Sequence, residues 1–315
     1  MKKLVTLLAT TSVLAVLSST LRSQSLEPVA FFDGSANEYP ESIAIDHRGN
    51  SYLGLVFAGK IRKVTPRGVQ SDFALIPDNW LLGMTFDRAG NLVVLGASGI
   101  WKVSPDGTPS LFSSVPGHNF LNDLVYDRHG NLYVTDSNNY LIWKVDPHGT
   151  AVVWSTDPLL QPSATSFPAP LGPNGIGFDR DMKTLHVLNT SAGRLLLIDV
   201  KRNGSAGPAR ILADDPSLIG ADGLEIDDHD NTYIAVNIQD RIALVKRNGR
   251  VSTVIEGDLL SVPTSLAFGR GRDSRTLFIC NNGLFFLSDP IGAGLLRLDL
   301  DDCRRSGHRN NHNCR

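Results

Sequence analysis

The chain has 315 residues, of which 42% are hydrophobic and 20% charged, with 29 glycines; this is the composition of a folded protein, one large domain or two medium ones. Its formal net charge is −2 and Lys and Arg form no block, which argues against nucleic acid or an anionic membrane surface and leaves small or neutral partners. Cys280, Cys303 and Cys314 are too few to build a disulfide scaffold, so the fold must stand on burial.

Met1-Lys2-Lys3 precedes the apolar stretch LVTLLATTSVLAVL, which is brief for a membrane span and interrupted by Thr and Ser. The pattern predicts an export signal over 1–25, cleaved between Ser18 and Ser25, with a mature protein starting near Leu26 in a secreted or periplasmic compartment. An uncleaved anchor is the alternative, because no small-x-small cleavage site is clean.

From residue 40 onward the chain repeats itself. PESIAIDHRGNSYLG from Pro40, LGMTFDRAGNLVVLG from Leu82, LNDLVYDRHGNLYVTD from Leu121 and ADGLEIDDHDNTYIAV from Ala221 share one pattern, with looser copies at PNGIGFDRDMKTLHVL from Pro173 and PTSLAFGRGRDSRTLFIC from Pro263. Each reads as a strand, an Asp, a polar turn and a second strand. Third strands follow as KIRKV, GIWKV, LIWKV, RLLLIDV and RIALV. The anchor position falls at Asp46, Asp87, Asp127, Asp179, Asp227 and Gly269, a spacing of 40 to 52 residues. Alternating apolar positions and hairpin-type turns predict an all-β fold: a six-bladed β-propeller over 26–300 with four-stranded antiparallel blades. The sixth copy lacks a fourth strand, and PVAFF at 28–32 is placed to supply it, closing the last blade and removing an exposed edge. Trp101 and Trp143, in the repeated IWKV, read as blade packing.

Counting five residues back from each anchor gives Glu41, Leu82, Asn122, Asn174, Asp222 and Thr264. In a propeller the first strand of each blade lines the central channel, so these side chains should ring one end of it. Two carboxylates and two carboxamides crowded there call for a cation. An all-oxygen set suits Ca²⁺ first, with Mg²⁺, Mn²⁺ or Zn²⁺ as alternatives, and four protein ligands leave room for water or substrate. Any single Asn or Asp before a strand could instead make a turn with its own backbone. Four in register, one of them a Glu, favour the cation.

Asp136, Asn189, Asn237 and Asn281 end second strands at the same face, as second-tier groups or turn caps. His118 is the histidine at that mouth, with Trp80, Leu82 and Phe120 as neighbours or core. Asn189 and Asn203 begin glycosylation sequons. The polar tail 301–315 holds Cys303, His308, His312 and Cys314. A local Cys303–Cys314 bridge, leaving Cys280 a buried thiol, is expected in an oxidising compartment, and a zinc site of C-x4-H-x3-H-x-C spacing is the weaker reading.

At the ring residues the sequence resembles the senescence-marker-protein, gluconolactonase and luciferin-regenerating-enzyme-like family, which are six-bladed propellers with a divalent ion in the central channel. Its metal-site segments match Glu41 in PESIAID, Asn122 in LNDLVYD, Asn174 in PNGIGFD and Asp222 in ADGLEID. The resemblance implies hydrolysis of a small-molecule lactone or ester, with the metal polarising the carbonyl and Asp222 as general base; a monomer is the default expectation, which no sequence feature fixes. Sugar-lactone members often carry an Arg two residues before the ND Asn; here that residue is Phe120, which favours an apolar lactone or ester and makes Phe120, His118 and Trp80 the substrate-binding candidates. Two other resemblances compete: a non-catalytic NHL-like propeller that binds a protein or ligand, and a strictosidine-synthase-like enzyme.

Overall fold

The computed structural model describes residues 25–163, 170–283 and 292–300. The described strands form six four-stranded antiparallel sheets. Blade one runs Pro40–Ile45, Ser51–Leu55, Lys60–Val64 and Gln70–Leu75. The innermost strands of the next five are Met84–Phe86, Leu121–Tyr126, Pro173–Phe178, Ala221–Ile226 and Pro263–Phe268. Each inner strand touches those of the blades before and after it, and the sixth touches the first, so the cycle closes. The expected six-bladed propeller is what the sequence folds into.

The predicted clasp is present. Glu27–Phe31 forms the outer strand of blade six, antiparallel to Gly294–Asp299, with Ala30 opposite Leu295 and Phe31 opposite Gly294. The predicted signal and the tail, with Cys303, His308, His312 and Cys314, lie outside the described residues. Cys280 is a buried free thiol. Asn189 is fully buried and its amide donates to Leu159 O and Gln161 O, so the first sequon is closed to modification in the folded chain, whereas Asn203 is exposed.

The anchor aspartates earn their recurrence by organising the first hairpin. Asp46 Oδ1 accepts from the backbone N–H of Arg48 and Asn50, both at 2.9 Å, and Oδ2 accepts from Asn50 Nδ2 at 2.8 Å. Asp87 with Asn91, Asp127 with Asn131, and Asp227 with Asn231 repeat the arrangement. The turn needs one residue in the left-handed region, filled by Gly49, Gly90 and Gly130; blade five uses Asp230 at φ 60°, a residue type that tolerates it.

The core lies between blades. Tyr52 meets Phe86 edge-on at 5.2 Å, Tyr133 meets Phe178 at 5.5 Å and Tyr233 meets Phe268 at 5.6 Å, so the second strand of one blade packs on the inner strand of the next three times over. Such edge-to-face pairs contribute about 0.5–1.5 kcal/mol each beyond area burial. Trp101 and Trp143 do pack within blades, and each indole N–H also bonds a carboxylate, Asp78 at 2.8 Å and Asp136 at 3.1 Å.

The closing strand gives a direct test. Ala30→Asp places a carboxylate at a buried position of the clasp and is expected to cost about 3 kcal/mol in urea unfolding. Val69→Asp, at an exposed position of blade one, should stay within about 0.5 kcal/mol of the parent. Equal losses would argue against the clasp.

Candidate functional site

Five of the six ring positions sit where the inner strand breaks register with its neighbour. In blade one, Pro40 faces Leu55 and Ser42 faces Gly54, which leaves Glu41 as an inserted residue. Blades three, four and five place Asn122 and Asp123 against Thr135, Asn174 and Gly175 against Leu188, and Asp222 and Gly223 against Ala235. Thr264 is the inserted residue of blade six. A bulge bends the strand and re-aims one side chain without flipping the rest. Polar groups can thereby leave an otherwise apolar strand.

The glycine after Asn174 and after Asp222 follows from the same packing. A Cβ at Gly175 would lie 2.5 Å from Asp222 O, and one at Gly223 would lie 2.6 Å from Thr264 O. Only glycine lets consecutive bulges approach this closely. The NG and DG of the repeat therefore hold the ring tight.

The ring side chains interact. Asn174 hydrogen-bonds Asp222, and the charge of Asp222 acts on Glu41. Asn122 is one bond removed: its Nδ2 donates to Ser137 Oγ at 3.1 Å, and Ser137 donates in turn to Pro173 O, beside Asn174, at 2.6 Å. The structure thus brings Glu41, Asn122, Asn174 and Asp222 into one connected set. Leu82 and Thr264, the remaining ring positions, are buried.

A second tier surrounds the set, formed by the residue that follows each second strand. Asn174 Nδ2 donates to Thr190 Oγ1 at 3.0 Å, and Thr190 donates to Ala221 O at 2.8 Å. Asn237 Nδ2 donates to Asp222 Oδ2 at 3.2 Å. Asn282 Nδ2 bridges to blade one, donating to Pro40 O at 3.0 Å and Glu41 Oε2 at 3.1 Å. Sequence reasoning missed Ser137, Thr190 and Asn282. It placed Asn237 with Asp136, Asn189 and Asn281, but those three lie one residue earlier in register. They are turn anchors: Asp136 accepts from Asn119 N and Phe120 N, and Asn281 accepts from Ser261 N. In blades one and two the second-tier positions are Val56 and Ala97, so the polar tier covers blades three to six only.

Burial raises four carboxyl groups on the inner strands, Glu41, Asp123, Asp222 and Glu225. Asp222, 7% exposed, is pushed up to about 7, with bonds from Asn237 and Asn174 working against the shift. Burial, then the negative charge of Asp222, holds Glu41 well above its usual range. Asp123 and Glu225, which the sequence reading also missed, are raised to about 7 by burial. Each reaches the next blade: Asp123 Oδ2 accepts from Ile176 N at 3.0 Å, and Glu225 Oε1 accepts from Phe268 N at 3.2 Å. Their visible signal was a charge inside an apolar inner strand.

Among the described residues there is no metal-holding group of three or more His, Cys, Asp or Glu. The ring's own donors are two carboxylates and two carboxamides. The amides of Asn122 and Asn174 bond hydroxyls through nitrogen, so neither bond uses the carbonyl oxygen. That is an oxygen-only set of the type hard divalent cations prefer.

Trp80 and Phe120 meet edge-on, with ring centroids 6.1 Å apart, so the structure joins these two substrate-binding candidates. His118 is instead held by its own loops, with Nδ1 2.8 Å from Val115 O and Nε2 3.0 Å from Ala97 O. Both ring nitrogens are occupied by backbone.

The family model described as the SMP-30/Gluconolactonase/LRE-like region matches residues 74–282. A lactonase drp35 of Staphylococcus saprophyticus is 28% identical over 270 residues, 78% of each chain. Among solved structures, a gluconolactonase from Xanthomonas campestris superposes with a TM-score of 0.70 at 16% identity, covering 91% of this chain and 93% of its own. A calcium-binding protein, regucalcin, from Agrobacterium tumefaciens gives 0.64 at 15% identity, covering 85% and 94%. With the propeller, the bulged ring and this match over most of its blades, the chain belongs to the SMP-30/gluconolactonase/LRE-like family.

Proposed function

We propose that this chain is an exported hydrolase that opens small lactones or related esters, using a divalent cation, Ca²⁺ by preference, held by Glu41, Asn122, Asn174 and Asp222. The observation that carries the reading is the convergence of two carboxylates at one ring: burial and mutual repulsion penalise their ionised forms unless a cation offsets them. Family membership and the lactonase drp35 relative support the reaction class. The calcium-binding regucalcin supports the choice of ion by analogy of fold.

When bound, the cation would supply Lewis-acid polarisation of the substrate carbonyl. Asp222 is the general base: its carboxylate accepts a proton from an attacking water and returns it to the departing alkoxide. Asn237 fixes the orientation of that carboxylate through Oδ2, and Asn174 constrains it from blade four. Ser137 and Thr190 fix Asn122 and Asn174 through their amide nitrogens. The bulges keep these groups off the sheet hydrogen-bond ladder, so their geometry does not depend on substrate.

Elemental analysis and lactone turnover by the purified mature chain test the reading. Asp222→Asn and Asn174→Ala should each lose the bound cation and lower kcat/KM by about 10²–10⁴-fold while circular dichroism stays that of the parent. A folded parent with neither cation nor turnover would instead favour the non-catalytic NHL-like reading.

Stability against pH gives a second test. In the cation-free protein Asp222 titrates at about 7 instead of its ordinary 3.8, so the folded state holds the extra proton between those values. Its contribution is complete below the lower value and is lost as pH rises through the upper one. Melting temperature with chelator should therefore fall between about pH 4 and 7, and excess Ca²⁺ should restore it at the upper end. Insensitivity to Ca²⁺ across the range would refute the cation site. For export, the N-terminus of protein recovered outside the cytoplasm is expected between residues 19 and 26; an intact Met1 there would show that no signal is removed.

A further inference from the structure

Taking the lactonase reading as its basis, we propose that the mouth over blades one to three is an apolar subsite, in which Phe57, Trp80 and Phe120 receive an alkyl or aryl substituent of the lactone or ester.

The argument begins with register. Tyr39, Trp80 and Phe120 stand two residues before the ring positions Glu41, Leu82 and Asn122 of blades one, two and three. The same position in blades four, five and six is Gly172, Gly220 and Val262. Three large aromatics therefore stand on one side of the mouth, against two glycines and one valine on the other. Phe57 completes the aromatic side. Centroids run Tyr39 to Phe57 at 6.0 Å, Phe57 to Trp80 at 5.4 Å and Trp80 to Phe120 at 6.1 Å, each pair edge-to-face. The result is a continuous arc leading to the ring.

Trp80 is the central member, and its state is unusual for core packing. Leu81 beside it is fully buried, yet Trp80 is 45% exposed and holds φ at 55°, a conformation costly for a bulky side chain. The segment carrying it is pinned. Asp78 Oδ2 accepts from Ser98 N at 2.9 Å, Ser98 Oγ at 2.6 Å and Trp101 Nε1 at 2.8 Å. Ala97 N donates to Asn79 O at 3.0 Å, and Leu81 N donates to Val56 O at 3.3 Å. The indole is therefore fixed outward before any ligand arrives, which lowers the ordering cost of binding.

The polar tier ends on the same side. Val56 and Ala97 stand where the later blades have Ser137, Thr190, Asn237 and Asn282, and Leu82 replaces an oxygen donor in the ring. A sugar ring placed over blades one and two would bury hydroxyls without partners, a large penalty, whereas an alkyl or aryl group loses nothing there. The subsite thus commits the enzyme to apolar substituents on the carbonyl-bearing ring or chain.

The test separates binding from hydrolysis. The mature protein is titrated, by tryptophan emission and calorimetry, with 6-hexyl-2-piperidone, a lactam that mimics an alkyl δ-lactone, and with unsubstituted 2-piperidone; turnover is measured on the matching lactones. The hexyl lactam should bind at least about tenfold more tightly, with a change in emission that disappears in Trp80→Phe. Trp80→Ser and the exposed Phe57→Ser should each collapse the hexyl-to-unsubstituted ratio of kcat/KM by at least about tenfold, with Val69→Ser as a surface control. Equal binding of the two lactams, or an unchanged ratio in both serine variants, overturns the subsite while lactone turnover by the parent leaves the lactonase reading standing. Tight, Trp80-dependent binding of the hexyl lactam without turnover of any lactone supports the subsite and overturns the lactonase reading instead.

Discussion

The site depends on one backbone device, the residue inserted into the inner strand at the mouth of the channel. A regular strand alternates its faces, and a polar group at an inward position would interrupt apolar packing between blades. Insertion frees Glu41, Asn122, Asn174, Asp222 and Thr264 from that alternation, since each stands beside its strand's ladder without a matching partner. Blade two differs: Leu82 and Gly83 precede a shorter strand, Leu82 N donates to Leu95 O, and Gly83 N donates to Asn122 O. An apolar residue needs no such rescue.

The second tier converts these re-aimed side chains into a fixed array. Ser137, Thr190 and Asn282 each donate to the backbone of the following blade as well as contacting a ring residue. A displacement of one blade would therefore be felt at its neighbour's ring group. Asp123 and Glu225 add two more inter-blade bonds. Chemistry and blade packing share the same bonds.

How much of this could be read in the sequence follows from which interactions are local. The propeller was legible because Asp46, Asp87, Asp127 and Asp227 are four residues from the Asn they bind, so the hairpin writes itself into four of the six copies. Counting back from those anchors found the ring. The bulges are defined by the partner strand, and their one local trace is the glycine after Asn174 and after Asp222, which alone does not reveal an insertion. Ser137, Thr190 and Asn282 escaped because each stands one residue past the end of its second strand, where the reading had stopped at Asp136, Asn189 and Asn281. His118 shows what sequence alone does not reveal: the Val115 and Ala97 carbonyls hold its ring.

The strand at Glu27–Phe31 finds its hydrogen-bond partner in Gly294–Asp299, on the other side of all the intervening blades. A ribosome making this chain therefore delivers one half of the seam before those blades and the other half after them. Until then the early segment has nothing to pair with, and the sixth blade has an unguarded margin open to another strand. Such long sequence separation slows assembly and makes ring closure a late event, after the contacts between consecutive blades have formed.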